Sequence, residues 1–355
     1  MKIGIGIIGL GYMGNIFSRI ARDLKDEECN LVAVSDINEK VLKEITALVK
    51  CEGYKDYKDL INDERINLVY IATPPATHLE IIKECVSNDK NILCEKPLVA
   101  KPKELEIIKS LLNSSKVQFQ IGLSQRFNIL YKYIKEIIET KSLGKIEFIR
   151  LNARFTVDEK RADKGKWLYD LKQGGGTILE SSIHYWDMAM WLTGSNVVSV
   201  YGKALFRDYK NGTFDYISTA IGELENGAII NIDNIFSMPK NFFGDIRMEV
   251  IGEKGTIYLN QLNGPIFICS DENINTNFVN SVSEVPTFPD MFNGGNEIGS
   301  YRRELISFIE NIRKGIKPSP GFKEAEKATK VTHAVLKSVK LDKKVKVILY
   351  PTFRT

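Results

Sequence analysis

The chain has 355 residues, of which 43% are apolar and 26% charged, and a formal net charge of +4. That length accommodates two or three domains with sizeable cores, and so mild a charge is not the footprint of a dedicated nucleic-acid binder. No apolar run approaches the ~20 residues of a membrane-spanning helix, and residues 3–10 are too short and too broken by glycine to read as a secretory signal. The five cysteines (Cys29, Cys51, Cys85, Cys94, Cys269) are widely spaced with no CxxC pair, and the three histidines (His78, His184, His333) are scattered. Free thiols, no metal site and a cytoplasmic protein are the expectation.

The first third alternates strand and helix patterns. A strand at 3–8 ends in glycines, and a helix at 14–24 puts Ile16, Ile20 and Leu24 on one face. A strand at 31–35 and a helix at 38–49 capped by Asn38 follow. A strand at 68–72 is stopped by Pro74-Pro75. Then come a helix at 79–87, a strand at 91–94, a helix at 102–112 and a strand at 118–122. Strands separated by helices of this length predict βαβ units and a parallel sheet.

After Gly122 the rhythm changes. One helix is predicted over 127–140, a long strand over 146–155, a polar loop to Gln173, and a helix from the Gly174-Gly175-Gly176 run to Leu192. Residues 197–259 read as successive antiparallel strands with turns at 211–212, 225–227 and 253–255. Residues 271–296 read as a surface loop, 297–314 and 323–339 as helices, and 343–350 as a last strand. The lysines along 323–346 lack interleaved aromatics and predict a solvated helix face carrying His333, with no nucleic-acid partner.

Gly9-Leu10-Gly11-Tyr12-Met13-Gly14 is a G-x-G-x-x-G run that follows a strand and opens a helix. Gly9 permits the tight turn, Gly11 admits a pyrophosphate to the backbone, and Gly14 lets helix and strand pack closely. Asp36, 22 residues after Gly14, ends the next predicted strand, where a carboxylate accepts both adenosine ribose hydroxyls. It repels a 2′-phosphate, and Ile37 supplies no cation for one. NAD is therefore expected rather than NADP.

Three further segments carry chemistry: Thr73-Pro74-Pro75 with His78 after the strand at 68–72, Glu95-Lys96-Pro97 after the strand at 91–94, and Gly174-Gly175-Gly176 with Glu180, His184 and Asp187. Together they resemble the glucose–fructose oxidoreductase/inositol dehydrogenase family (Gfo/Idh/MocA), over essentially the whole chain. The resemblance implies an α/β protein with an N-terminal Rossmann domain (1–123) and a C-terminal α/β domain (124–355) built on a large, mostly antiparallel open sheet, the last helices packing back on the first domain. It also implies a homodimer or homotetramer formed through that sheet, and hydride transfer between NAD and one carbon of a cyclic sugar, polyol or sugar nucleotide.

On this reading Lys96 and His184, from separate domains, act on one substrate oxygen. The imidazole exchanges its proton and the ammonium stabilises developing negative charge. Glu180, four residues before His184, shares its helix face and tunes the imidazole or accepts a substrate hydroxyl. Relatives of the inositol dehydrogenase kind carry Asp at the Glu180 position, so inositol specificity does not transfer directly. The implied cofactor residues are Gly9, Gly11, Tyr12, Met13, Gly14, Asp36, Thr73, Pro74, His78, Glu95, Lys96 and Gln125. Arg126, Arg154 and Trp167 join Lys96, Glu180 and His184 toward substrate. Arg126 holds Glu95, a substrate oxygen or a domain-bridging salt bridge, and Asp187 either faces the site or makes a structural hydrogen bond. Two alternatives stay open: a non-catalytic regulator that binds NAD(P), and an enzyme that uses transient oxidation for net hydrolysis or isomerisation.

Overall fold

A computed structural model describes residues 2–24, 29–156, 166–209, 212–239, 242, 244–260, 266–270 and 299–349. The chain divides into two units, Met1–Ser124 with Gly295–Glu326, and Gln125–Gly294 with Lys327–Thr355.

The first unit is built on a six-stranded sheet of β1 (Ile3–Ile8), β2 (Cys29–Ser35), β3 (Glu52–Tyr54), β4 (Leu68–Ile71), β5 (Asn91–Cys94) and β6 (Phe119–Ile121), in the order β3-β2-β1-β4-β5-β6. Every pairing is parallel. Strands covered on both faces read as unbroken apolar runs, as β1 and β4 do. The connections are α1 (Tyr12–Asp23), α2 (Glu39–Val49), α3 (Tyr57–Asn62), α4 (His78–Ser87) and α5 (Glu104–Asn113). Asn38 caps α2, its side chain accepting the Lys40 and Val41 N–H groups. The order reverses between β1 and β4, and in open α/β sheets ligands bind at the carboxyl ends of strands at that switch point. Strand β3 and helix α3 were not predicted; three and six residues are too few to show a period.

The second unit carries an eight-stranded sheet. Its strands are β7 (Ile146–Arg154), β8 (Val197–Tyr209), β9 (Gly212–Leu224), β10 (Ile229–Ile235), β11 (Asp245–Gly252), β12 (Gly255–Asn260), β13 (Ile266–Ser270) and β14 (Val345–Lys346), in the order β13-β12-β11-β7-β10-β9-β8-β14. The β7–β10 pair is parallel and the other pairs are antiparallel. Alternation puts Ile149, Leu151 and Ala153, with Ile230, Ile232, Met248 and Val250, into one core with α6 (Ile129–Glu139) and α7 (Ser182–Thr193). Trp186 of α7 is fully buried, and a methyl added at Gly222 of β9 would meet its ring at 2.6 Å.

The helix predicted from 127 starts later, because Ser124–Phe127 forms a 3-10 turn and Asn128 caps α6 through the Leu130 N–H at 2.9 Å. Helix α8 (Gly299–Lys314) belongs to the first unit, where Gln118 and Gln120 donate to the carbonyls of Asn311 and Glu304. The unit boundary falls inside α9 (Phe322–Leu341).

His333 is not the solvated residue expected. It is half-buried on α9, and burial, reinforced by Lys340, pushes its pKa down to about 4. The predicted tail strand shrinks to two residues paired with β8, and the loop at 271–296 and the turn residue Asn211 lie outside the described residues. Among the described residues no helix is long and apolar enough to cross a membrane, no cluster could hold a metal ion, and Cys29, Cys51, Cys85 and Cys94 are free thiols.

Candidate active site

The carboxyl end of β1 builds a cradle. Gly9 has φ of 87°, open to glycine without strain, and a side chain there would meet the Ala72 carbonyl oxygen at 2.8 Å. A methyl at Gly14 would overlap the Gly9 carbonyl oxygen, whereas one at Gly11 would meet nothing within 4 Å. Gly14 is therefore required by the fold itself, and Gly11 is not. The empty space at Gly11, before a helix with no acidic residue in its first turn, fits the close approach of a pyrophosphate to backbone N–H groups. Tyr12 is exposed and Met13 half-buried beside it.

Asp36 holds this turn together. Its Oδ2 accepts the Leu10 N–H at 2.7 Å and its Oδ1 the Asn38 N–H at 2.8 Å. A carboxylate offers about four acceptor positions, so ribose hydroxyls can still be received. The residues present thus fit a dinucleotide. Gly11→Ala is expected to leave the unfolding midpoint unchanged and to weaken NADH binding at least ~10-fold. Gly14→Ala is expected to cost about 1–3 kcal/mol of stability by overpacking. Fluorescence titration and urea unfolding of the two variants check the pair.

At the end of β4, the Thr77 hydroxyl donates to Thr73 Oγ1 at 2.7 Å and to the Pro74 carbonyl at 2.8 Å. His78 is fully buried, with Nε2 2.9 Å from the Thr73 carbonyl oxygen and Nδ1 3.1 Å from that of Leu98. Burial pushes its pKa down. It braces the 73–75 loop against the chain just past Lys96.

Lys96 follows β5, is half-buried, and is joined to Pro97 by a cis peptide. Glu95, expected at the cofactor, is 8% exposed and engaged within the protein. Its Oε1 accepts the Tyr70 hydroxyl at 2.5 Å and its Oε2 the Lys96 N–H at 3.2 Å. Glu304 of α8 is fully buried, with neither carboxyl oxygen hydrogen-bonded among the described residues. Burial, then the Glu95 charge, raises its pKa well above the ordinary carboxylate value. Tyr70 was missed in an apolar strand and Glu304 among the other charged residues of an amphipathic helix; only the fold associates them with Glu95.

In the second unit, Gly174 and Gly176 have φ of 94° and 89°. A methyl at Gly175 would overlap the carbonyl oxygens of Trp167 and Leu168, which brings half-buried Trp167 against the glycine run. The chain then makes a π-turn, Thr177–Ser181, before α7. Along residues 174–190, Glu180 and His184 are half-buried and every other residue is buried. Two chemically active groups emerge together from an otherwise sealed helix.

Arg126 sits with Gln125 in the 3-10 turn and forms a two-pronged pair with Asp187, Nε to Oδ2 at 2.8 Å and the terminal nitrogen to Oδ1 at 2.6 Å. The Arg126 guanidinium is thus tied to the helix that carries His184. Arg154 lies in register with Arg150 and Asn152, on the face of β7 opposite the core residues, with its guanidinium 3.6 Å from Asp245.

Comparison with known proteins shows the family. The family model for the Gfo/Idh/MocA oxidoreductase family, NAD-binding Rossmann fold, matches residues 3–123, and that for the family's C-terminal alpha/beta domain matches residues 135–347. The chain is 28% identical over 346 residues to myo-inositol 2-dehydrogenase of Thermotoga maritima, covering 96% of this chain and 98% of that protein. Its fold matches the WlbA dehydrogenase of Bordetella pertussis in complex with NADH and UDP-GlcNAcA (TM-score 0.86, 18% identity, 97% of each chain). It also matches scyllo-inositol dehydrogenase of Lactobacillus casei with NAD(H) and scyllo-inositol (TM-score 0.79, 21% identity, 98% and 99% of the chains). With both domains matched in order and the glycine cradle intact, the chain belongs to the Gfo/Idh/MocA family as an NAD-binding oxidoreductase.

Proposed function

We propose that the protein is a dehydrogenase that oxidises, or in reverse restores, one secondary hydroxyl of a cyclic polyol or sugar. The observation that carries this reading is the joint emergence of Glu180 and His184 from a run of residues that is otherwise buried. A proton acceptor displayed beside a carboxylate serves acid–base chemistry; a ligand sensor has no use for one. The names of the relatives, inositol and sugar-nucleotide dehydrogenases, support the substrate class.

Bound NAD supplies the hydride acceptor. The backbone at Gly11 and the Asp36 carboxylate hold it at its phosphate and ribose ends. His184 receives the hydroxyl proton as the alcohol becomes a carbonyl, and Glu180 orients the imidazole and favours its protonated form. The Lys96 ammonium donates a hydrogen bond to the same oxygen and stabilises negative charge developing there.

The experiment is a near-ultraviolet absorbance screen of the purified protein with NAD and a panel of inositols, hexoses and sugar nucleotides. At least one cyclic polyol or sugar is expected to yield NADH. No turnover with any of them, from protein that binds NADH, would overturn the reading.

The outward face of the large sheet exposes Tyr201, Ile221, Ile229 and Ile251, with Phe148 paired between the last two. Such a face suits a second copy of the chain, so a dimer or tetramer is expected in sedimentation equilibrium, and a monomer at micromolar concentration would contradict it.

A further inference from the structure

The π-turn that carries Glu180 begins without a cap of its own. The residue at the capping position is Gly176, which has no side chain to accept the exposed N–H groups. The missing acceptor comes from another element. Asp215 of β9 is fully buried, and its Oδ2 accepts both the Thr177 hydroxyl and, at 2.7 Å, the Ile178 N–H. The same Thr177 hydroxyl lies 2.7 Å from Ser218 Oγ on β9. Gly176 is glycine for the same reason: a methyl there would overlap Asp215 Oδ1. One turn on, the Ser181 hydroxyl donates to Asn234 Oδ1 of β10 at 2.8 Å.

We propose that Asp215 is a positioning residue for the Glu180–His184 pair, a capping carboxylate lent by a neighbouring strand that fixes where the π-turn starts and hence where both side chains emerge. The inference rests on the reading of Glu180 and His184 as the acid–base pair. Its physical basis is the location of the two bonds. They fall on the first two residues of the turn, three and two positions before Glu180, and they tie it to the sheet rather than to the helix that follows. A slip of the turn by one residue would rotate Glu180 and His184 away from the surface into the core that their neighbours fill. Burial pushes the Asp215 pKa up to about 7. Such a desolvated acid gives the fold little net stability, which fits a residue that specifies a geometry more than it adds free energy.

The test combines substitutions with a spectroscopic probe. Asp215→Ala removes the acceptor, and Thr177→Val removes one donor at constant shape. Asp215→Asn and Thr177→Ser restore an acceptor and a donor. Asp215→Ala and Thr177→Val are expected to lower kcat at least ~10-fold, with the NADH dissociation constant and the KM for NAD within about twofold of the parent. The two conservative variants should recover most of that loss. Because the chain has three histidines, its imidazole NMR lines can be assigned by single replacement. In Thr177→Val, and in Asp215→Ala if it folds, the His184 line should move or broaden while those of His78 and His333 stay in place. An unmoved His184 line, or parental kcat in folded Thr177→Val and Asp215→Ala, would overturn the proposal. If His184→Asn itself turns over normally, it is the acid–base reading that fails, and the NMR comparison still decides whether Asp215 sets the turn.

Discussion

Replacing Lys96 by Met is expected to lower kcat at least ~10²-fold while leaving NADH affinity within about twofold, because the substitution keeps the apolar stem and deletes the ammonium that follows β5. Gly9, Gly11 and Gly14 lie at the turn from β1 into α1, and Asp36, just after β2, bonds that turn through the Leu10 N–H. Binding and turnover should therefore separate. Steady-state kinetics with the best substrate of the screen, together with fluorescence titration of NADH, measure both. Near-parental turnover would remove Lys96 from the mechanism, and a matched loss of NADH affinity would make it a cofactor ligand instead. Glu95, immediately before it, is held by Tyr70, so the variant should keep the local backbone and report on the ammonium alone.

Arg126→Ala is expected to destabilise the protein by about 3–5 kcal/mol, the effect of stranding one member of a buried ion pair. The side chains of Arg126 and Asp187 are 11% and 3% exposed, so water cannot resolvate the carboxylate that remains. Arg126→Lys should recover only part of this loss, since an ammonium cannot reproduce the two-pronged geometry. Urea unfolding checks both variants. A change below ~1 kcal/mol for Arg126→Ala would place the pair among surface salt bridges of little consequence.

The local parts of this site are legible in the chain. A strand, three glycines, a helix and a carboxylate 22 residues on lie within one βαβ unit, and their spacing is dictated by the ligand rather than by distant packing. Lys96 and His184 can be read because each sits in a short pattern of unusual residues. What sequence does not show is which residues those patterns lean on. Asp215 is 38 residues from Thr177, Asp187 is 61 from Arg126, and Gln120 is 184 from the Glu304 carbonyl to which it donates. No periodicity links such partners. The alternation along β7 is clear in the same way, but which face meets the helices is decided by the whole sheet. The π-turn at Thr177–Ser181 was invisible because four-residue spacing puts Glu180 and His184 on one side in an α-helix, and a run buried almost all round shows no polar face to mark the change. His333 misled because it shares a helix face with Lys330, Lys337 and Lys340, three, four and seven residues away, yet is itself half-buried.

Isotope transfer tests the central claim most directly. A substrate from the screen, deuterated at the ring carbon that bears the reacting hydroxyl, would be incubated with the protein and NAD, and the nicotinamide examined by NMR. The account predicts deuterium at C4 of the reduced ring with the parent protein, and slow transfer with Lys96→Met or His184→Asn. Consumption of that substrate with no deuterium reaching the nicotinamide, or parental transfer in both variants, would contradict it.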